Sequence, residues 1–338
     1  MKYTVHLKDD SYPITIERNA IQKIHETMNT QRKIAIIADD GVPQKWVDCV
    51  YQQCENAFIL RFKQGEASKC FATYESLLKQ LIEHQMSRSD AVIAIGGGVT
   101  GDLAGFVAST YMRGIDFYNI PTTVLSQVDS SVGGKVAVDV GSYKNIVGAF
   151  WQPKAVIIDP NVLSTLSQRQ INNGLVEALK TGLIQDKTLV ELFEQESLDI
   201  DQIIARSINV KRKVVEQDVK ESNLRKILNF GHTIGHAIEG AYGLNTYLHG
   251  ECVAMGMLFF IENKTLKERV LRIYQRLELP EVPEYDVDTL MDYIVHDKKS
   301  HASTTTVVKV YEAGSYQLEE LSHKALRELL EKRECYEK

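Results

Sequence analysis

The sequence has few cysteines, and their spacing gives no sign of a disulfide framework or a cysteine zinc site. Their number is odd and none forms a Cys-x-x-Cys pair. This pattern is typical of reduced thiols in a cytosolic protein. The five residues are Cys49, Cys54, Cys70, Cys252 and Cys335.

Long hydrophobic runs are also missing. The longest, from Cys252 to Ile261, is about half of the ~20 apolar residues that a membrane span requires, so it predicts a buried helix. The first ten residues lack the apolar core of a signal peptide, which favours a cytoplasmic location. A net charge of −6 argues against a protein held to nucleic acid by bulk electrostatics, and no membrane or nucleic-acid partner is expected.

Proline is absent between Pro160 and Pro280, and this gap separates two patterns. Before it, short apolar runs alternate with helical segments such as Tyr74–Gln85, which predicts βαβ units around a parallel sheet. The predicted strands are Lys33–Ala38, Phe58–Phe62, Ala91–Ile95, Phe117–Ile120 and Ala155–Asp159.

The second half has helical periodicity throughout, except for a predicted strand at Thr304–Tyr311. Because 338 residues exceed what one core usually supports, we expect an α/β domain at 1–165 and an all-α domain at 166–338. The predicted helices are Asn172–Gln185, Ile200–Val219, Leu224–Ala241, Glu251–Lys267 and Leu321–Lys332.

The segment Gly96–Asp102 follows a predicted strand and satisfies Gly-x-Gly-x-x-Gly before the helical pattern from Leu103 to Ser109. Such glycines let the backbone approach a pyrophosphate at a helix N-terminus. Glycine-rich turns of this kind also occur without a ligand. Because the motif lies about ninety residues into the chain rather than after the first strand, we expect an atypical dinucleotide-binding fold.

Two further segments, Asp129–Lys135 and 142–145, combine glycine, serine and lysine with few apolar anchors. Backbone donors and lysine charges together suit a phosphate, so we predict phosphate-binding loops here. The alternative is a pair of solvated turns.

Between residues 225 and 236, four polar side chains recur at steps of four, three and four, which on one α-helix aligns them in a single stripe. The segment Ile227–Ile238 carries no Lys, Arg, Asp or Glu, so the helix is predicted to be buried. Buried polar groups require partners, which here are a metal, a ligand, other side chains or, for the histidines, backbone carbonyls. The four are Arg225, Asn229, His232 and His236.

Glu177 and Lys180 share one face of a mostly apolar helix. A surface ion pair is the usual outcome of this spacing, but the surrounding leucines favour an inward carboxylate. A carboxylate and two imidazoles suit a catalytic zinc ion. Spacing alone nominates His232 and His236 as the imidazole ligands, with His249 as a further candidate.

These motifs together resemble the 3-dehydroquinate synthase family, over about residue 35 to Lys299. The family implies an N-terminal Rossmann-like NAD-binding domain and a C-terminal helical domain that binds zinc or cobalt. The matching segments are Gly96–Asp102, 111–114, 121–123, Asp129–Lys135, 144–145, 177–180, 229–239 and 248–256.

Carried over residue by residue, the resemblance assigns the metal to Glu177, His232 and His249 and leaves His236 for the substrate. It implies a homodimer in which Arg113 reaches the neighbouring active site. Substrate contacts are implied for Lys135, Asn145, Lys180, Lys211, Arg225, Asn229, His236 and one of Lys298 and Lys299. NAD contacts are implied for Asp39, Glu66, Lys69, Gly97, Gly98, Val99, Asp102, Thr122, Thr123, Asp129, Lys135, Lys144, Asn145 and Thr165.

The family reaction converts 3-deoxy-D-arabino-heptulosonate 7-phosphate to 3-dehydroquinate and phosphate, in the shikimate pathway. NAD oxidises a ring hydroxyl, phosphate is eliminated, and the same cofactor then reduces the ketone. The segment Val219–Arg225 departs from the family pattern, which puts the local loop in doubt but not Arg225. The alternatives are another sugar phosphate cyclase, a metal-dependent polyol dehydrogenase, and a non-enzymatic NAD-sensing protein.

Overall fold

The computed structural model describes residues 1–141, 143–243, 246–297 and 304–332, which form two compact units. Unit 1 comprises Met1–Ser167 and Ile200–Lys220, and unit 2 comprises Gln168–Asp199 and Glu221–Lys338. The expected division near residue 165 placed 200–220 in the second part, whereas these residues belong to unit 1. Helical periodicity identifies a buried face but not the core that the face joins.

The described residues contain eleven strands and eleven α-helices. The strands are β1 (Lys2–Val5), β2 (Tyr12–Ile16), β3 (Lys33–Asp39), β4 (Asn56–Phe62), β5 (Ala91–Gly96), β6 (Asp116–Pro121), β7 (Lys135–Val140), β8 (Tyr143–Phe150), β9 (Ala155–Ile158), β10 (Thr304–Lys309) and β11 (Gln317–Ser322). The helices are α1 (Gln44–Tyr51), α2 (Phe71–Glu83), α3 (Gly98–Thr110), α4 (Gln168–Gln185), α5 (Lys187–Glu194), α6 (Ile200–Gln217), α7 (His232–Tyr242), α8 (His249–Met257), α9 (Lys264–Arg276), α10 (Val287–Asp297) and α11 (His323–Lys332).

Unit 1 is built on a seven-stranded sheet in the order β1-β2-β9-β6-β5-β3-β4. Only the β1–β2 pair is antiparallel. Every residue of β5 and β9 is buried, as expected for a parallel sheet with both faces covered. All five predicted strands lie in this sheet, which confirms the α/β prediction. The terminal hairpin β1–β2 was not predicted.

The segment around Lys144 and Asn145 is a strand rather than the loop predicted from its composition. β7 and β8 form a separate antiparallel pair. In β8 only Val147 and Ala149 face the core, and the other residues are exposed. The apolar residues of this segment do not alternate regularly with polar ones, since Ile146 and Val147 are adjacent, so the pattern did not indicate a strand.

The helical second half is confirmed for unit 2, but the predicted helix Leu224–Ala241 is wrong as a continuous element. Leu224–Asn229 forms a 3-10 helix, and α7 begins only at His232. Gly231, with φ 78, lies between them in the left-handed region that favours glycine. The stripe from Arg225 to His236 is therefore broken. Asn229 and His236 are exposed, which also contradicts the predicted burial.

Two other helix boundaries differ from the prediction. The predicted helix Glu251–Lys267 is two helices, α8 and α9, and the second starts where Asn263 accepts a 3.0 Å hydrogen bond from the Leu266 N–H. This side-chain cap favours the start of a new helix at Lys264 over the continuation of α8. Leu321 still belongs to β11, which ends at Ser322, so the last helix begins two residues later than predicted, at His323.

Helices α7 and α8 pack closely because glycines line their contact. A Cβ on Gly256 would lie 2.0 Å from the Gly231 carbonyl oxygen, and one on Gly235 would lie 2.9 Å from the Cys252 carbonyl oxygen. Neither separation is sterically allowed for a side chain. The glycines thus allow two backbones to approach to a distance that larger residues would prevent.

The described part of the chain contains no helix with the length and apolar composition needed to span a membrane. The segment Cys252–Ile261, predicted to be a buried helix, is buried throughout, although the helix itself ends at Met257. The four described cysteines are free thiols, and Cys335 lies outside the described residues.

Candidate functional site

The first candidate surface is the carboxyl edge of the unit 1 sheet. Asp39 ends β3, Gly96 ends β5, and Thr122 follows β6 while donating its N–H to the Gly96 carbonyl at 2.9 Å. Parallel strands of open α/β sheets bind ligands at this edge. Glu66, Lys69 and Thr165 follow β4 and β9, so the sheet brings the ends of five strands to one side.

The glycines of the predicted nucleotide motif are required by close packing. A Cβ on Gly96 would lie 2.4 Å from Thr100 Oγ1, and one on Gly101 would lie 3.2 Å from Asn119 Nδ2 on β6. Helix α3 starts at Gly98, directly after the strand. The first N–H groups of a helix have no acceptor within the helix and can bind an anion, so pyrophosphate binding at this turn stays a prediction.

Asp39 is a buried carboxylate anchored on both oxygens. Oδ2 accepts from Thr100 Oγ1 at 2.7 Å, and Oδ1 accepts from the Gly41 N–H at 2.9 Å. Carboxylates in this position of dinucleotide-binding folds accept hydrogen bonds from a ribose. Asp39 thus lies at the carboxyl edge of the sheet, and its contact with NAD stays a prediction.

A buried lysine connects three predicted contact residues. Lys69 Nζ donates to Asp102 Oδ2 at 2.5 Å and also to Asn145 Oδ1. Burial disfavours the charge of Lys69, but Asp102 and then Glu66 raise its pKa above the ordinary value. Asn145 has φ 53, and its N–H donates to Asp139 Oδ1. The ammonium therefore connects the strand-end residues to the β7–β8 hairpin.

Lys211 lies on α6 and is buried in unit 1. Its Nζ contacts Asp129 Oδ1 at 2.6 Å. Asp129 lies in a short π-helix, Ser126–Ser130, and two glycines with positive φ, Gly133 and Gly134, follow it. Helix α6 belongs to unit 1 although part of unit 2 precedes it in the sequence. It therefore brings Lys211, a predicted substrate contact, to Asp129, a predicted NAD contact 82 residues away in the sequence.

The remaining predicted residues of unit 1 lie on the same elements. Lys135 begins β7 and Lys144 lies in β8, and both are exposed. The others are Gly97 and Val99 at the start of α3, and Thr123, whose hydroxyl bonds that of Ser126 at 2.8 Å.

Arg113 lies in a short 3-10 helix after α3, and its side chain is exposed. Met112 and Arg113 have φ 51 and 67, which is uncommon outside glycine. A Cβ on the next residue, Gly114, would lie 2.3 Å from the Trp151 ring, so the turn packs tightly against that ring.

The second candidate surface is a polar cluster in unit 2. Glu177 and Lys180, on α4, are each 2 % exposed, and Lys180 Nζ donates to Glu177 Oε2. The inward carboxylate suggested by the sequence is thus observed. The other oxygen, Glu177 Oε1, is buried and has no hydrogen-bond partner among the described residues. A buried carboxylate oxygen of this kind is costly unless a cation or donor satisfies it.

Two histidines direct the same nitrogen toward that oxygen. Nε2 of His232 and Nε2 of His249 each lie 3.7 Å from Glu177 Oε1. Their Nδ1 atoms contact other acceptors, the Phe230 carbonyl at 3.1 Å and Glu239 Oε2 at 2.8 Å. Because these acceptors require an N–H, the neutral form of each ring, which is the form that binds a metal, carries its lone pair on Nε2.

This arrangement fits a divalent metal ion. Ligands about 2.0–2.2 Å from a tetrahedral zinc ion lie roughly 3.4 Å apart, close to the observed separations. His236 also lies nearby, with ring centroids 5.1 Å from His232 and 5.7 Å from His249. The three histidines have ligand atoms within 4.8 Å of one another, so they form a second possible ligand set.

Charge distinguishes the members of the cluster. Burial disfavours the charge of Glu177, but Lys180 and then both histidines hold its pKa well below the ordinary value. Burial, followed by Lys180, lowers the pKa of His232. Burial also acts to lower the pKa of His249, but the carboxylates of Glu177 and Glu239 outweigh burial and raise that pKa to about 9. Glu177 therefore offers an ionised ligand oxygen.

Arg225 is buried, whereas Asn229 is exposed and donates to Glu221 Oε1 at 3.1 Å. Lys298 and Lys299 lie outside the described residues. Glu221 and Glu239 were not singled out from the sequence. Glu239 is seven residues after His232, on the same side of the helix, and that spacing was an available signal.

Two family models match the chain. One, described as 3-dehydroquinate synthase N-terminal, matches residues 59–173, and the other, described as 3-dehydroquinate synthase C-terminal, matches residues 174–300. The chain is also 40 % identical to a 3-dehydroquinate synthase of Streptococcus thermophilus, over 98 % of this chain and 100 % of the relative. A relative of the same name from Thermoanaerobacter pseudethanolicus is 40 % identical over 97 % and 99 %.

Solved structures have the same fold. A 2-deoxy-scyllo-inosose synthase complexed with carbaglucose-6-phosphate, NAD+ and Co2+ matches with a TM-score of 0.88 and 25 % identity, covering 98 % of this chain and 100 % of that one. A 2-epi-5-epi-valiolone synthase from Streptomyces hygroscopicus, with NAD+ and Zn2+ bound, matches with a TM-score of 0.86, 22 % identity and coverage of 97 % and 98 %.

Proposed function

Since the chain belongs to the 3-dehydroquinate synthase family, we propose that it converts 3-deoxy-D-arabino-heptulosonate 7-phosphate into 3-dehydroquinate and phosphate. It acts in the cytoplasm, in the shikimate pathway that leads to the aromatic amino acids. The observation that carries the proposal is the buried Glu177 Oε1, which faces two histidine nitrogens within a chain 40 % identical to enzymes of that name.

Unit 1 holds NAD. The glycine turn at the start of α3 takes the pyrophosphate, Asp39 takes a ribose, and the strand-end residues take the remainder of the cofactor. Solved cyclases of this fold contain NAD+, which supports the assignment. We assign the remaining NAD contacts to Glu66, Lys69, Gly97, Gly98, Val99, Asp102, Thr122, Thr123, Asp129, Lys135, Lys144, Asn145 and Thr165.

Unit 2 holds zinc or cobalt through Glu177, His232 and His249. Lys180 occupies the other carboxylate oxygen of Glu177, so Oε1 is the atom directed at the metal. His236 is left for the substrate. We prefer this set to the three histidines because Glu177 Oε1 is the buried atom that lacks a partner.

The chemistry divides between the cofactors and the protein. When bound, NAD accepts and returns a hydride while the metal polarises the reacting oxygen. The side chains position the substrate and stabilise its negative charges, and the departing phosphate serves as its own base. We assign the carboxylate and phosphate contacts to Lys135, Asn145, Lys180, Lys211, Arg225, Asn229, His236 and one of Lys298 and Lys299.

The active enzyme is a homodimer in which Arg113 contacts the substrate phosphate of the neighbouring site. Arg113 is exposed on unit 1, and the large apolar side chains next to it and next to Trp151 in the sequence, Met112 and Phe150, are exposed as well. A groove of about 530 Å³ that includes Met112, Tyr74 and Ile82 continues this apolar surface. Exposed apolar surface of this kind supports a protein interface.

Another cyclase activity is the main alternative, because the solved structures of this fold include a 2-deoxy-scyllo-inosose synthase and a 2-epi-5-epi-valiolone synthase. A structure described as a probable glycerol dehydrogenase from Sinorhizobium meliloti also has this fold, at 17 % identity and a TM-score of 0.62. A dehydrogenase would not need so many lysine and arginine contacts for phosphate and carboxylate groups.

The test is a phosphate-release assay with the heptulosonate phosphate, catalytic NAD and Co²⁺ or Zn²⁺. We expect phosphate release that depends on NAD and on the metal, with 3-dehydroquinate as the product. Turnover of a hexose 6-phosphate in place of the heptulosonate would indicate another cyclase, and no turnover of either would refute the proposal.

A further inference from the structure

Glu239 is a buried carboxylate beside a proposed metal ligand. It lies on α7 and is 7 % exposed, and its Oε2 lies 2.8 Å from Nδ1 of His249 on α8. Nothing in the proposed reaction uses this carboxylate directly. Its position next to His249 therefore requires an explanation.

The hydrogen bond determines which nitrogen of His249 is available for a metal. An ionised carboxylate is only an acceptor, so Nδ1 must carry the hydrogen. In the neutral, metal-binding form of the ring the lone pair then lies on Nε2, which is the nitrogen that faces Glu177 Oε1 at 3.7 Å. The opposite tautomer would bring a lone pair against Glu239 and an N–H toward the metal position.

His232 provides an internal comparison. Its Nδ1 contacts the Phe230 carbonyl at 3.1 Å, and its Nε2 likewise faces Glu177. Each of the two imidazoles is thus oriented by an acceptor on Nδ1. The acceptor is a neutral carbonyl for His232 and a charged carboxylate for His249, which increases the ligand strength of that ring more.

We propose that Glu239 is a positioning residue of the metal centre, which holds the His249 ring with Nε2 toward Glu177 and strengthens it as a ligand. This inference rests on the proposed function, specifically on the metal set of Glu177, His232 and His249. Glu239 does not touch the metal or the substrate in this role.

The experiment compares three variants of the full-length protein: Glu239→Ala, Glu239→Gln and the control Glu251→Gln. Glu251 is also a buried carboxylate of unit 2, at 3 % exposed, but its partners are Arg169 and the Leu248 N–H rather than a metal ligand. Each protein is stripped of metal and titrated with Co²⁺ against a chelator. The visible absorption of bound Co²⁺ and the denaturant midpoint of the metal-free protein are recorded.

For Glu239→Ala we expect Co²⁺ affinity to fall about 10–100-fold, with a changed absorption spectrum. Glu239→Gln should lie between this variant and the wild type, because its amide oxygen still accepts from Nδ1 without the charge. Glu251→Gln should lower the denaturant midpoint but change Co²⁺ affinity much less than Glu239→Ala does and leave the spectrum unchanged, because the glutamine oxygen can still accept hydrogen bonds. That contrast separates orientation of a ligand from general stability.

Wild-type Co²⁺ affinity and spectrum in a folded Glu239→Ala protein would overturn the proposal, as would an equal loss in Glu251→Gln. Full Co²⁺ affinity of His249→Ala in the same assay would instead refute the proposed metal set of Glu177, His232 and His249, independently of the role of Glu239. Should Glu239→Ala not fold, ¹⁵N spectra of histidine in the zinc-loaded wild type decide the matter. A protonated Nδ1 on metal-bound His249 supports the inference, and a metal-bound Nδ1 contradicts it.

Discussion

The side chain of Asn173 holds the backbone of Gly250: its Oδ1 accepts a 2.7 Å hydrogen bond from the Gly250 N–H. Asn173 lies on α4, which carries Glu177, and Gly250 lies in the first turn of α8, directly after His249. The bond thus links the helix of one proposed metal ligand to the helix of another. The distance between Glu177 and His249 therefore depends on this backbone contact as well as on the conformations of the two side chains.

Replacing Gly250 with alanine should disturb that contact. The new Cβ would lie 2.0 Å from the Asn173 carbonyl oxygen, a backbone atom that cannot move without shifting α4. We expect Gly250→Ala to lower the free energy of unfolding by about 1–3 kcal/mol and to reduce metal content. Thermal unfolding and metal analysis of the purified protein measure both effects.

Gly240→Ala is the matched control. It adds a methyl group within α7 that meets only the ring of Tyr293, which is 43 % exposed and able to move. We expect little change in stability or metal content. Normal metal content in Gly250→Ala would contradict the proposed dependence of the site on this helix contact.

The two possible ligand sets make opposite predictions for His236. If Glu177, His232 and His249 hold the metal, His249→Ala should empty the site and abolish turnover. His236→Ala should then keep its metal but lose turnover, because its role is toward the substrate. Metal analysis of both purified variants distinguishes the sets. Loss of metal from His236→Ala as well as from His249→Ala would instead support the set of three histidines.

NAD should be required but not consumed. Because the hydride removed from the substrate returns to the product, many phosphates should be released per NAD, and no NADH should accumulate. Phosphate release and absorbance of reduced cofactor are followed together, with a large excess of substrate. Formation of one NADH per substrate converted would indicate a dehydrogenase.

Removal of the Arg113 guanidinium should slow turnover strongly. A planar guanidinium can bind two phosphate oxygens, and losing one partner of such a contact costs on the order of 2–5 kcal/mol of transition-state stabilisation. Steady-state kinetics of Arg113→Ala measure this loss. A wild-type kcat/KM would exclude a phosphate contact.

A mixture of two inactive chains tests whether Arg113 acts across the dimer. In a mixed dimer of Arg113→Ala and Lys135→Ala, one site would carry both defects and the other neither. Activity should therefore recover to at most about half per heterodimer, as two-fold symmetry requires. With subunit exchange verified by mass spectrometry, the absence of any recovery would contradict the cross-subunit role.

Local patterns in the sequence were sufficient for much of the α/β unit. β3 and β5 are continuous apolar runs of the length that buried parallel strands require, and the glycine turn after Gly96 leads directly into α3. The inward Glu177 was also indicated, because leucines surround it on its helix. These features depend on neighbouring residues, so the sequence alone was informative.

Helix continuity was less predictable. The polar spacing from Arg225 to His236 suited one α-helix, but Gly231 takes a left-handed conformation and breaks it. The same glycine lies where α7 meets α8, which a single sequence pattern does not reveal. Packing between helices, rather than local preference, decided this backbone.

By itself, the sequence determined the family, the buried strands and the residue types available for a metal. Only the tertiary structure decided which of them meet: it placed α6 in unit 1, so that Lys211 reaches Asp129, and brought His249 to Glu177 from 72 positions along the chain. Spacing within one helix favoured His232 with His236, because four residues form one helical turn. Distances between separate helices are set by packing, which no local sequence pattern encodes. In this structure the packing places Glu177 Oε1 opposite His232 and His249.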